Sequence, residues 1–483
     1  MTSPMDLTPV RSVTGMTDDE LLTVNALLAT WWRKRGRNAL REQYYSAHNR
    51  LRDLGIAVPP PLRKVETYVG WPAKAVDAMA NRAVFEGYTF QGTDTNIQLD
   101  AVVGDCDFVS AYSQAVTDAL VSSCSFLCIT KGGFGEPDVI ASAHSARDGA
   151  AIWDYRLNRI KCGMVVADVR RNSSGRVIGP ALVNVFTRSE TLVLRWNRNG
   201  RWVLEARESN PHGVPLMEAV RYAPRLGRPF GKSRISRPVM AITDSAVREA
   251  LRSEVAAEFV AAPQKYIMGA TDDIFDDKTK WEAYMGSFLA LGLDENGERM
   301  QVGQFPQGSM QSHTEYMRDL AARFSGETGV PVSSLGVIHD NPSSAEAIYA
   351  AKEDLVIEAS NFNRDNRSAL RRIGLLMMAV AQGVAVGDLT DADKTIQPRF
   401  MNPSLPSVVS QSDAMVQQIG AIPWIGESRV ALEQLGYDDA QIMRLMSDKK
   451  RAQANAVVAS LVAPKEAPVG DTAQDVGSAN DGA

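Results

Sequence analysis

The chain has 483 residues, 45% of them hydrophobic and 23% charged, with a formal net charge of −5. That length exceeds what one compact core fills, so two to four structural regions are expected. The acidic balance argues against a protein that clamps nucleic acid over a broad basic face. No apolar run reaches the 18 or so residues of a membrane span, and the N-terminus lacks the basic-then-apolar order of a signal peptide. Cys106, Cys124, Cys128 and Cys162 form no CxxC pair, which reads as buried reduced thiols rather than a metal site or disulfide frame.

Taken in order, Thr17-Asp-Asp-Glu20 is a capping box and predicts a helix to about Leu54. Leu21, Val24, Leu28 and Trp31 give it an apolar face; Arg33, Lys34, Arg35, Arg37 and Arg41 form a basic cluster, followed by Tyr44 and Tyr45. Such a cluster reads as a solvated face, an interprotomer salt-bridge surface or a nucleic-acid contact. The proline-bearing stretch 55–63 is a turn. Helices are expected over 71–85 and 111–121, with a short β-like segment over 87–97 between them.

From 122 to about 220 the period shifts. The runs SFLCITKGG, DVIASAHS, AAIWDYRL, CGMVVADVRR, ALVNVFTR, TLVLRWNR and RWVLEARE read as strands, with turn signals at NSSG and NRNG. This predicts a mostly antiparallel β region set between helical parts, so the fold class is α+β rather than doubly wound.

Residues 227–262 open with a glycine-rich basic turn and continue as an amphipathic helix, with Pro238 tolerated in its first turn and Pro263 ending it. Its apolar positions include Val239, Ile242, Val247, Leu251, Val255 and Phe259. Beyond it come a strand over 264–270, an acidic stretch over 272–293, and a loop with a short strand over 296–308. A helix follows over 310–324, ending at Gly326 and Gly329, then an extended polar segment over 330–342. Ser343-Ser-Ala-Glu346 is a second capping box, opening a helix of nearly forty residues to about Gln382. Residues 388–406 read as irregular, short helices are expected over 410–419, 428–435 and 438–450, and the tail from 464 reads as disordered.

Several motifs tempt a chemical reading. Gly227-Arg-Pro-Phe-Gly231-Lys-Ser233 has three residues where a phosphate-wrapping loop needs four, and no apolar strand leads into it. Gly132-Gly-Phe-Gly135 reads as a hairpin turn. The five histidines are isolated from one another, and no nucleophile elbow supports a hydrolytic triad. No enzyme activity, catalytic residue, metal or cofactor is expected.

The order of elements resembles the portal proteins of tailed bacteriophages, most of all the siphophage portal group of actinobacteriophages, over about residues 18–460. The matching segments are Tyr44-Tyr-Ser-Ala-His-Asn-Arg-Leu51, Asn81-Arg-Ala-Val-Phe-Glu-Gly87, Gly213-Val-Pro215 with Gly231-Lys-Ser233, and Leu435-Gly436-Tyr437 before residues 442–446. Most diagnostic are Gly329-Val-Pro331, Leu335-Gly336 and Ser343-Ser-Ala-Glu-Ala347.

That resemblance implies a ring of about twelve copies at one capsid vertex, through which double-stranded DNA is packaged and ejected. It divides the chain into an N-terminal arm (1–17), a wing (18–225, with the β insertion at 122–220), a first stem helix (226–263) and a clip (264–308). A second stem helix (309–332), a tunnel loop (333–342), a long helix and its connection (343–405), a crown (406–463) and a tail (464–483) complete it. By position, Ser333, Ser334, His339, Asp340, Asn341 and Ser343 would face DNA. Val247, Arg248, Glu249, Leu251, Arg252, Val255 and Phe259 would meet the next subunit. In the clip, Asp272, Asp273, Asp276, Trp281 and Tyr284 would dock the motor or connector.

The implied partners are further copies of the chain, DNA in transit, the terminase large subunit, the head–tail connector, the major capsid protein and a scaffold, without any membrane. The implied location is the virion's capsid vertex, with assembly in the host cytoplasm. Three physical points agree: a ring needs heterologous contacts that close, a channel must avoid persistent phosphate binding, and a conduit needs no catalytic centre. The alternatives are a P-loop packaging component that hydrolyses nucleotide, and another head-completion or minor capsid protein.

Overall fold

The computed structural model describes residues 9–49, 51, 66–91, 96–261, 265–268, 301–304, 308–337, 352–404, 408–437 and 439–462. The chain divides into two compact units, Met1–Ser404 and Leu405–Ala483.

In the first unit, helix α1 (Asp18–Tyr45) starts on the expected capping box: Thr17 Oγ1 accepts from the Glu20 amide and the Glu20 carboxylate accepts from the Thr17 amide at 2.8 Å. It stops at Tyr45 rather than near Leu54, because Ser46 folds its hydroxyl onto the Glu42 carbonyl and Ala47 takes a positive φ of 56°. The arm ahead of it is held by Asn25, whose side-chain amide brackets both backbone groups of Val10 at 2.7 and 2.9 Å.

Helix α2 (Trp71–Ala80) is shorter than expected, since the chain turns at Asn81 and resumes as strand β1 (Phe85–Thr89). Two helices then follow in place of one, α3 (Ile97–Asp105), capped by Asn96, and α4 (Phe108–Ser122). Alternation in this stretch is weak, so α3 left no clear period to read.

The β region forms as antiparallel strands: β2 (Cys124–Lys131), β3 (Val139–Ser145), β4 (Gly149–Asp154), β5 (Arg159–Arg171), β6 (Val177–Phe186), β7 (Glu190–Trp196) and β8 (Trp202–Ser209). An eighth strand of this region, β9 (Met217–Arg221), is buried at every position, which removes the alternation that would mark it in the sequence. The strands make two sheets, ordered β3-β2-β9 and β4-β5-β6-β7-β8. The NRNG hairpin forms: Trp196 pairs with Trp202, and Gly200 adopts a φ of 73° at the turn.

Next come helix α5 (Arg237–Ala261), a two-stranded pair of β10 (Lys265–Met268) and β11 (Gln301–Gln304), helix α6 (Gln311–Thr328) and helix α7 (Glu353–Gln382). Gly329, at φ 66°, caps α6 as the sequence implied. The second capping box at residues 343–346 lies outside the described residues. The supposedly irregular stretch after α7 contains a strand, β12 (Gln397–Phe400), which pairs with β1 more than 300 residues earlier in the chain. No local pattern signals so distant a partner.

Three apolar clusters hold this unit. The largest joins α2, α4, β2 and β9 to the root of α5, the end of α6 and the inner face of α7, with Phe85, Phe108, Tyr112, Phe324 and Phe362 among its large buried rings. A second packs Leu21, Val24, Leu27, Leu28 and Trp31 of α1 onto Met164, Val183, Val185, Leu192 and Leu194 of the five-stranded sheet. The third lies between the two sheets, around Phe126, Trp153, Phe186 and Met217.

The second unit contains α8 (Val408–Ala421), α9 (Arg429–Gln434) and α10 (Asp439–Val462). The last runs twelve residues beyond the expected end at Lys450. Asp438, expected in its cap, lies outside the described residues.

Candidate functional site

The candidate site is the pair α5–α6 and the root that fixes it. The pair runs antiparallel: Arg234 meets Thr328 at one end, Glu249 meets His313 midway, and Val260 lies near Gly308 at the other. Midway, His313 Nδ1 stands 2.6 Å from Glu249 Oε1, with the Glu249 side chain only 6% exposed. Arg252 approaches the second Glu249 oxygen at 3.8 Å, and Arg248 donates to Ser245 Oγ at 3.0 Å.

The root is the GKS turn. Gly231 has a φ of 72°, and a Cβ there would lie 2.0 Å from the Tyr222 carbonyl oxygen, so only glycine fits. The Lys232 amide donates to Tyr222 O at 2.9 Å, the Arg234 amide to Leu120 O at 2.8 Å, and the Gly231 amide to Arg228 O at 2.9 Å. The buried Ser233 hydroxyl donates to Val121 O at 2.6 Å. These donors, which a phosphate loop would turn toward an anion, are committed to backbone carbonyls. The turn is a tie between α5 and the three-stranded sheet.

Arg234 is the centre of that tie. Its side chain is 3% exposed. Nε donates to the Ala75 carbonyl of α2 at 2.8 Å, and Nη2 donates to the Thr328 carbonyl at the end of α6. Nη1 reaches Tyr222 Oη at 3.2 Å and pairs with the Glu358 carboxylate of α7, which also accepts from the Tyr222 hydroxyl. Burial is the main cause that pushes the Tyr222 hydroxyl well above its ordinary value. One planar guanidinium thus joins α2, the end of β9, α6 and α7, a task that its fixed fork of donors suits and an ammonium would not.

Helix α7 is strapped to β9 independently. The Asn366 amide accepts from Arg221 N at 2.8 Å and donates to Arg221 O at 2.9 Å, standing in for a neighbouring strand. Two turns on, Arg372 meets Glu218 with two bonds of 2.6 and 2.9 Å.

The expected site residues fall as follows. Ser333 and Ser334 are exposed on a single 3₁₀ turn, Val332–Leu335, whose Leu335 carbonyl accepts from Trp71 Nε1 at 3.3 Å. His339, Asp340, Asn341 and Ser343 lie outside the described residues, as do Asp272, Asp273, Asp276, Trp281 and Tyr284 and the side chain of Phe259. Val247, Glu249, Leu251 and Val255 are already buried within the single chain, while Arg248 and Arg252 are half-buried. Among the described residues, the positions of α5 that stay exposed are Arg237, Pro238, Ala241, Glu254, Ala257, Glu258 and Ala261. Arg234, Tyr222, Thr328, Glu358 and Asn366 were not anticipated: an arginine in a polar turn and a polar residue on a long helix look solvated until their distant partners are known.

The geometry defines a structural scaffold, in which a helix pair is rooted in an α/β body and the buried polar groups of the root join elements to one another. The chain is 26% identical over 450 residues to the portal protein of Mycobacterium phage L5, covering 88% of this chain and 87% of that one. It is also 26% identical over 444 residues to the portal protein of Mycobacterium phage D29, covering 87% of each chain. The resemblance read from the sequence is borne out by these relatives. Among solved structures, a chain from the neck of an empty gene transfer agent particle aligns at a TM-score of 0.44 and 12% identity, over 80% of this chain and 90% of that one. No protein-family model matches the chain.

Proposed function

We propose that this chain is a portal subunit of a tailed phage. In that role it builds a ring-shaped channel at one capsid vertex, through which double-stranded DNA is packaged and ejected. The observation that carries this reading is collinear similarity to two portal proteins over nearly nine-tenths of the chain. The rooted α5–α6 pair supports the assignment of these helices as the stem, since a channel wall needs helices whose bases cannot splay. The clip, 264–308, then lies between them in the chain, and the tunnel loop, 333–342, begins at the turn that Trp71 holds.

The ring is proposed to contain about twelve copies, closed by heterologous contacts. The terminase large subunit and the head–tail connector dock at the clip, and the major capsid protein is a further partner. A nucleotide-hydrolysing role loses its premise, because the GKS donors serve backbone carbonyls. Negative-stain imaging of the purified protein tests the proposal. Closed rings with a central hole are expected; a population of monomers and dimers alone overturns it.

A further inference from the structure

The basic cluster on α1 is larger than the sequence suggested. Arg33, Lys34 and Arg37 are exposed, and Arg41 completes the same helix face at i, i+4 and i+8 spacing from Arg33. The Arg41 guanidinium is fixed by the Ser122 carbonyl at 2.9 Å. The adjoining Ser123 carbonyl accepts from the Tyr222 amide at 3.1 Å, and three residues past Tyr222 the chain makes a tight turn closed by Arg225 and Arg228. Arg228 of this exposed turn acts as a nearby charge on Lys34 and Arg41, so the turn reaches the α1 cluster from nearly 200 residues away. Burial first, and then the charges of Arg33, Arg37, Arg41 and Arg228, hold the Lys34 ammonium below its ordinary value.

Among the described residues, Arg33, Lys34, Arg37, Arg225 and Arg228 have no ion-pair partner. The nearest acid on α1, Glu42, turns to Arg147 at 3.6 Å. A crowd of like charges on a chain of net charge −5 repels itself unless an anion sits on it.

We infer that this two-element patch holds the phosphate backbone of double-stranded nucleic acid, at a site apart from the α5–α6 pair. From Arg33 to Arg41 the helix rises about 12 Å, and a duplex presents roughly seven phosphates over that axial length. The patch offers long, exposed cationic ends, with Leu226 as one exposed apolar side chain in the turn between Arg225 and Arg228. The cationic ends outnumber it, which suits a uniform polyanion more than a protein partner, whose interface would bring several desolvated aromatic or apolar anchors. The inference does not need the portal reading, because a chain of any function with this patch would show it.

The test uses the full chain and a fluorescent duplex DNA of about 30 base pairs and arbitrary sequence, titrated at salt from about 50 to about 200 mM. Wild type is expected to bind with a log–log salt slope near −3 to −4, losing about a hundredfold in affinity across that range. Arg33→Gln/Lys34→Gln/Arg37→Gln and, separately, Arg225→Gln/Arg228→Gln are expected to bind at least tenfold more weakly at low salt, with a shallower slope and unchanged thermal unfolding and oligomer size. Equal binding and slope in both variants overturn the inference. So does displacement of the duplex by poly-glutamate at equal charge concentration, which would assign the patch to an acidic protein.

Discussion

Arg234 and Glu358, 124 residues apart, form an ion pair at the root of the helix hairpin, with 3% of the arginine side chain exposed and 30% of the glutamate. The asymmetry matters. Glu358 can recover part of its hydration if the pair is broken, but the carbonyls of Ala75 and Thr328 on the arginine's other nitrogens cannot. Arg234→Ala therefore strands two buried acceptors as well as a partly buried carboxylate, and is expected to destabilise by about 3 kcal/mol or more. Glu358→Gln keeps both carbonyl bonds and an amide oxygen for Nη1, and is expected to cost about 1–2 kcal/mol. Denaturant unfolding of the two variants checks the order; equal losses would mean that the carbonyl bonds contribute little.

The turn that carries Arg234 makes a second comparison possible. A methyl group on Gly231 would collide with the Tyr222 carbonyl at 2.0 Å in a left-handed backbone, displacing the amide of Lys232 that bonds to the same carbonyl. Gly227, four residues earlier, is exposed and has nothing within 4 Å of a built Cβ. Gly231→Ala is expected to cost more than about 2 kcal/mol, through strain and overpacking together. Gly227→Ala should stay within about 0.5 kcal/mol of wild type. The first glycine of the apparent nucleotide motif is thus dispensable, whereas a phosphate-wrapping loop would use both.

Cysteine chemistry gives a test of the core. Cys124 and Cys128 are buried on β2 and Cys162 on β5; burial pushes the Cys124 thiol up to about 12 and moves the other two upward as well. Cys106 alone is half-exposed, with its thiol also raised by burial. A thiol-specific chromogenic reagent at mildly alkaline pH is expected to titrate at most one thiol quickly in the folded protein and all four after denaturation. Rapid reaction of two or more would show that the space between the sheets opens.

The sequence made legible those features whose cause is local. The Thr17 capping box, the NRNG hairpin, the Pro238 helix start and the Gly329 cap each depend on a few neighbouring residues, and each formed. What it hid has distant causes. Strand β9 lost its alternation by being buried on both faces, and β12 exists only because β1 is there to pair with it. The α1 helix ran shorter than its pattern because Ser46 captured a carbonyl. The Arg234 root was invisible for the same reason as β12: four partners from four elements must be assembled before a charged side chain can be buried. The chain-order resemblance compensated for this at the level of function, where no local motif would have sufficed.

The residues of α5 assigned to the subunit contact divide into two groups with opposite expectations. Leu251, 2% exposed in the single chain, already has its apolar surface covered. Leu251→Ala is therefore expected to lower the stability of the subunit by about 2–5 kcal/mol whatever its assembly state, by leaving a cavity. Glu254 and Glu258, four residues apart, are exposed along with Ala257 between them. Glu254→Lys/Glu258→Lys should leave subunit stability within about 0.5 kcal/mol of wild type. If this edge meets the next copy, the double reversal places like or mismatched charges in a heterologous contact, and rings should give way to open or smaller assemblies in sedimentation and negative-stain images. Intact rings with the double reversal, alongside rings lost in Leu251→Ala at temperatures where its subunit remains folded, would return the contact to the buried face and remove the exposed edge from the channel wall.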